Sequence, residues 1–269
     1  ATSCPYCGNP TIIPGQFGGT LRPDFVIPFR LKKEDAIAAL KKHYEGRPLL
    51  PKAFKNAAHL EEIKGVYVPF WLFDGEAEGE IDFDATRSQT RRTDDVEITS
   101  TEHFDVRRAG AVRFERIPVD ASTKMPDDYM DSLEPFDYSA LTAFSTAYLP
   151  GFLADKYDVT AEACSSRADT RAKNSTIDQL RDTVEGYDTV SARRTEILLH
   201  RGTVSYALLP VWLLTTKWNG NNYLFAMNGQ TGKFVGNLPV DKAKKWRIFA
   251  AVYGIAALIT AAFTLFPGL

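Results

Sequence analysis

From Ile248 to Phe266 the chain runs nineteen residues without a charge, IFAAVYGIAALITAAFTLF, and no other stretch restricts its folding so much. At about 1.5 Å rise per residue, such a helix covers roughly the hydrocarbon thickness of a bilayer. Its nine strongly apolar residues together favour insertion by about 4 kcal/mol, more than Gly254, Tyr253 and two threonines oppose. A buried core helix is the alternative, but over five turns it would show a polar face, and this stretch has none. The sequence therefore predicts one transmembrane helix over 246–266 and a single-pass protein of the cell membrane. Lys242, Lys244, Lys245 and Arg247 precede the span and no charge follows it, so the bulk of the chain is predicted to be cytoplasmic. Trp246 and Arg247 read as an interfacial membrane anchor. Ala250, Gly254, Ala257 and Ala261 fall on one seam of small side chains, either a packing surface for another membrane helix or a chance product of an alanine-rich helix.

The remainder has the balance of a folded protein. Its 34 acidic and 32 basic residues give a net charge of -2, which argues against broad neutralisation of nucleic-acid phosphates. A lone thiol at Cys164 suits a reducing compartment. Residues Lys33–Tyr44 read as an amphipathic helix with Ile37, Leu40 and Tyr44 on one face. Val66–Phe73, VYVPFWLF, is a buried-type strand whose proline places it at an edge or a bulge. Glu80–Arg87, Val96–Val106 and Ala111–Val119 alternate as antiparallel strands, with a turn expected at Arg108-Ala109-Gly110. A polar helix over Thr160–Val184 leads to a strand that includes Tyr206–Leu214. Asn219-Gly220 and Asn228-Gly229 then punctuate a meander. Tyr67 precedes Pro69-Phe70-Trp71-Leu72 as Tyr206 precedes Pro210-Val211-Trp212-Leu213, which reads as an internal duplication or as two unrelated buried strands.

The fold class expected is α+β, with two related helix-plus-antiparallel-sheet units, an amino-terminal half zinc ribbon and one C-terminal transmembrane helix. The boundaries are 1–20 for the half ribbon, 21–120 for the first unit, 121–158 for a connector, 159–241 for the second unit and 246–266 for the span.

Among chemical motifs, Cys4-Pro5-Tyr6-Cys7-Gly8 is the specific one. Two thiolates separated by two residues grip one Zn²⁺, so Cys4 and Cys7 are candidate metal ligands, though they make only half of a four-ligand site. A redox pair is the competing reading, with no strand before the motif and no helix after it. Gly229-Gln230-Thr231-Gly232-Lys233 lacks the first glycine and the magnesium-binding hydroxyl of a phosphate loop and reads as a hairpin turn. Glu76, Glu78, Glu80 and Asp82 fit an exposed acidic strand better than a catalytic site. Asp127, Asp128, Asp131 and Glu134 fit the solvated first turn of a helix. No catalytic set is legible, and the chain is read as a non-enzyme.

Taken together, CPYCGNPTIIPGQF, KGVYVPFWLFDGEA, IPVDASTKMPDDYMDSLEPFDYS, TAYLPGFLADKYDV, YALLPVWLL and LFAMNGQTGK resemble the bacterial zinc-ribbon membrane proteins with a transcription-factor-B-type ribbon. The resemblance implies a zinc ion held by two Cys-x-x-Cys pairs, of which Cys4 and Cys7 are the second; this sequence carries no first pair. Relatives are often labelled as similar to a primosomal replication helicase, but no ATP-binding loop is present. The resemblance further implies a membrane-anchored cytoplasmic adaptor that recruits protein partners at the lipid bilayer, flotillin-like and phage-shock-type proteins of envelope stress among them. A zinc-ribbon nucleic-acid-binding module is the alternative, motivated by Arg87, Arg91, Arg92, Arg107, Arg108, Arg113 and Arg116 in one β region.

Overall fold

The computed structural model describes the backbone of residues 2–3, 10–11, 22–93 and 96–265. Strands β1 (Thr2–Ser3) and β2 (Pro10–Thr11) pair with each other. Then follow β3 (Phe25–Val26), helices α1 (Lys33–Tyr44) and α2 (Ala57–Leu60), and the long strands β4 (Lys64–Thr93) and β5 (Val96–Asp120). Helix α3 (Asp127–Ser132), β6 (Thr142–Ala143), β7 (Leu153–Ala154) and α4 (Ala161–Asp182) come next. The chain continues with β8 (Thr189–Trp218), β9 (Asn221–Asn228), β10 (Phe234–Gly236) and α5 (Lys242–Leu265).

Strands β3 to β10 form one mixed eight-stranded sheet, which corrects the expected fold class of two related helix-plus-antiparallel-sheet units. The two similar segments lie side by side in it, with Tyr67 opposite Pro210 and Trp71 opposite Tyr206. Strands so apolar on both faces must be covered on both, and pairing them in one central sheet does this. Neither proline marks an edge strand. On one side of β4, pairing with β7 ends at Tyr67 and pairing with β5 starts at Phe70, so Pro69 falls in the gap. Pro210 falls likewise between β3, which ends at Leu208, and β9, which starts at Val211. A residue without an N–H is tolerated where the ladder changes partner.

One face of the central sheet is covered by α1, whose Ala36, Ile37, Leu40 and Tyr44 pack with Phe54, Leu214, Phe225 and Met227. Asp35 accepts a 2.8 Å hydrogen bond from the Lys32 backbone and closes the first turn of α1. Met125, Met130, Leu133 and Phe136 cover Val68, Phe70, Leu72 and Leu209 in a second cluster. Each fully buried side chain of this size contributes roughly 1.5–3 kcal/mol.

Among the described residues no helix is long and apolar enough to cross a membrane, which corrects the transmembrane helix over 246–266 and the single-pass cell-membrane placement drawn from it. α5 carries Lys242, Lys244, Lys245 and Arg247 in its first turns. The zinc-ribbon element is corrected too: among the described residues no group of three or more His, Cys, Asp and Glu side chains is placed to hold a metal ion. Cys4 and Cys7 themselves lie outside the described residues.

Candidate functional site

Beyond Phe73 the strands β4, β5 and β8 run on past the central core as a three-stranded arm. β4 pairs with β8 as far as Thr86 and with β5 as far as Thr93. The turn expected at Arg108-Ala109-Gly110 is absent, and β5 passes straight through it. Gly110 lies opposite Gly79, and α4 crosses the sheet above them.

Helix α4 braces the arm. Thr160 caps it by accepting from the Ala163 N–H, and Cys164, Ala168, Ala172, Thr176 and Leu180 recur every four residues as its buried seam. A Cβ on Gly79 would lie 3.0 Å from both Thr176 and Leu180, so only glycine lets the helix come this close. Farther out, Ile81, Phe83, Leu180 and Val184 form a small core. There Arg87 lies 5.6 Å from the Phe104 ring and 5.5 Å from the Tyr187 ring while donating to the Gly186 carbonyl.

At the root of the arm the register of β4 shifts between Phe73 and Gly75. Asp74 spans the bulge, accepting from the Arg116 N–H at 2.8 Å and from the Thr203 hydroxyl at 2.5 Å. Arg116 sits at φ 60°, a conformation that this bond helps to hold. A Cβ on Gly75 would come within 2.9 Å of the His200 carbonyl, and one on Gly202 within 3.0 Å of the Asp74 carbonyl. The kinked sheet and the small residues Ala168 and Ala172 leave a cleft of about 270 Å³. Phe73, Phe114, Leu199 and Val204 line it, and the ion pair Arg201–Asp169 at 2.5 Å stands at its rim.

The face turned away from α4 carries Glu76, Glu78, Glu80, Asp82 and Asp84 at alternate positions of β4. This is the exposed acidic strand that the sequence suggested. Arg107 bridges Glu80 and Asp82, and its hydrogen bond holds the Asp82 carboxyl below the usual range. Arg193 bridges Asp84 and Asp105, and His200 lies 3.4 Å from Glu78. Arg113 and Arg194 pair with Glu115 and Glu196. Arg108 reaches Thr183, and Arg116 donates to the Tyr138 carbonyl. The arginines that crowd the sequence here are interleaved with acids rather than aligned as a basic track.

Both margins of the arm are free of strand partners among the described residues. β5 pairs only with β4, and β8 between Thr189 and Val204 is paired on one side only. Side chains along these strands, Val96, Ile98, Leu198 and Val204 among them, are exposed.

The acids of 127–134 are not simply solvated. Arg167 on α4 holds Asp120 at 2.9 Å, Asp127 at 2.9 Å and Asp131 at 3.0 Å, while Arg171 grips Glu134 and the Pro118 carbonyl. Burial pushes the Asp120 carboxyl up to about 6 even though Arg167 opposes the shift. Burial also pushes the adjoining Cys164 thiol up to about 11, which leaves it a poor nucleophile at neutral pH. The 228–233 segment is the turn into β10: Asn228 accepts from the Gln230 and Thr231 N–H groups, and Gln230 bonds the Asp137 backbone.

Of the membrane-anchor residues, Trp246 and Arg247 are exposed on α5, and Ala250, Gly254, Ala257 and Ala261 follow along the same helix without joining the arm. Of the residues that build the arm's root, Asp74, Gly75 and Gly202 were not singled out from sequence, and Arg116 was read only as one of a crowd of arginines. Their signal was a glycine interrupting each alternating strand, Asp74-Gly75 in β4 and Arg201-Gly202 in β8.

Over 243 residues the chain is 37% identical to a Bacillus subtilis (strain 168) protein described as "Uncharacterized protein YdjG", a match that covers 90% of this chain and 71% of that one. The chain belongs to the YdjG family. No family model matches the chain. No solved structure matches it either.

Proposed function

We propose that this protein is an adaptor that recruits other proteins, and that the braced arm is its recruiting element. One observation carries the reading: long strands whose margins are unpaired among the described residues run on past a well-packed core, and helix α4 packs along them. Exposed strand margins template pairing with another chain, and a fold keeps them where they are used. The mixed acidic and basic face gives orientation rather than bulk attraction.

Affinity purification of the tagged full chain from cells, by quantitative mass spectrometry, tests the reading. The comparison is a pair of variants, one in which 89–100 is replaced by a two-residue turn and one with Glu76→Lys and Glu162→Lys at the exposed root of the arm. Loss of specific partners from at least one of them, with the fold retained by circular dichroism, is the expected result. A partner set unchanged in both would refute the arm as recruiter.

A further inference from the structure

We propose that the margin of β8 from Leu199 to Val204 takes an extended strand from a partner protein. One apolar side chain of that strand fills the cleft under α4, and basic residues beside it meet the carboxylates around the rim. The inference rests on the recruiting reading and names the place and the chemistry.

Three observations converge there. β8 is hydrogen-bonded to β4 on one side, and no strand occupies its other side between Thr189 and Val204 among the described residues. The cleft opens at that same margin, because Leu199, Arg201 and Val204 of β8 belong to its wall and Val204 remains 44% exposed. Strand addition gains affinity from main-chain bonds and specificity from pockets for alternate side chains. A volume of about 270 Å³ falls below the ~300–1,000 Å³ that encloses a whole drug-sized ligand, and it suits one large apolar side chain.

Charge selects the flanking residues. Asp169 and Glu196 are paired with Arg201 and Arg194, and Glu78 lies beside His200, so Glu76 and Glu162 at the cleft set the local charge of the margin. An incoming strand with lysine or arginine next to its anchor is attracted, and an acidic one is repelled.

A photo-crosslinking amino acid placed at Val204, and separately at Val112 on β5, in the full chain in cells provides the test, with the crosslinked segment mapped by mass spectrometry. The expected result is an adduct at Val204 to a segment of another protein that carries an apolar residue flanked by basic ones. Ala168→Trp, which fills the cleft, should reduce that adduct at least tenfold. Should that variant fail to fold, the exposed pair Glu76→Lys and Glu162→Lys gives the same readout and the same expected loss. Adducts at Val112 but not Val204 would overturn this inference and leave the recruiting reading standing, whereas none at either position would sink both. An adduct only to a second copy of this chain, or to an acidic segment, would also overturn it.

Discussion

The Asp74 carboxylate and the Thr203 hydroxyl, 2.5 Å apart, join β4 to β8 at the one place where the register of both ladders of β4 slips. The second oxygen of Asp74 holds the Arg116 N–H of β5, so a single side chain fastens all three strands at the root of the arm.

Replacing Asp74 with alanine should cost about 2 kcal/mol, since it removes two hydrogen bonds to an ionised acceptor and leaves Arg116 at positive φ unsupported. Urea unfolding is the measurement, and Asp74→Asn, which keeps an acceptor, should lose less than half as much. Equal losses for the two variants would show that the bulge does not depend on these bonds.

Gly79→Val should destabilise by about 1–3 kcal/mol, because its Cβ alone would stand 3.0 Å from the Thr176 and Leu180 side chains, which must shift to admit it. Gly46→Ala provides the contrast: its Cβ would meet nothing within 4 Å, and the cost there comes from φ +67° alone. A Gly79 variant as stable as the parent would mean that α4 stands farther from the sheet than described.

The Asp120 carboxyl sits at about 6 in the folded chain against an ordinary 3.8, with burial as the main cause. A raised carboxyl binds its proton more tightly folded than unfolded, so its contribution to stability falls as pH rises from about 3.8 to about 6. The change is on the order of 3 kcal/mol. Thermal midpoints measured from pH 4 to 7 should show this component in the parent and lose it in Asp120→Asn. Parallel curves for the two would refute the assignment.

Amide hydrogen exchange should be graded along the arm. Residues 90–93 and 96–99 form a two-stranded ribbon exposed on both faces and should exchange orders of magnitude faster than Val66–Leu72. Protection at the tip equal to that of the central sheet would point to a partner already seated there.

Much of the local structure was legible in the sequence. The apolar spacing at Ile37, Leu40 and Tyr44 marks α1, and the Asn219-Gly220 pair marks the β8–β9 hairpin. What was not legible depends on long-range pairing. Pro69 reads as an edge signal because the sequence does not show that a strand's neighbour can change partway along it. Gly110 reads as a turn because its packing against Leu180 lies seventy residues away. The cleft was hidden for the same reason, being made by a bulge in β4, a glycine in β8 and two alanines in α4. The apolar run after Ile248 was read as a membrane span from composition, and the described helices contain none of that length and character.

β4 and β8 each pass from the buried centre to the free end without a loop or hinge. A force applied near Arg87 along the strand direction loads many ladder bonds at once in shear instead of opening them one after another. The arm therefore acts mechanically as an extension of the hydrophobic interior, and a protein held on it would be released by detaching from the strand margin before the fold itself gives way.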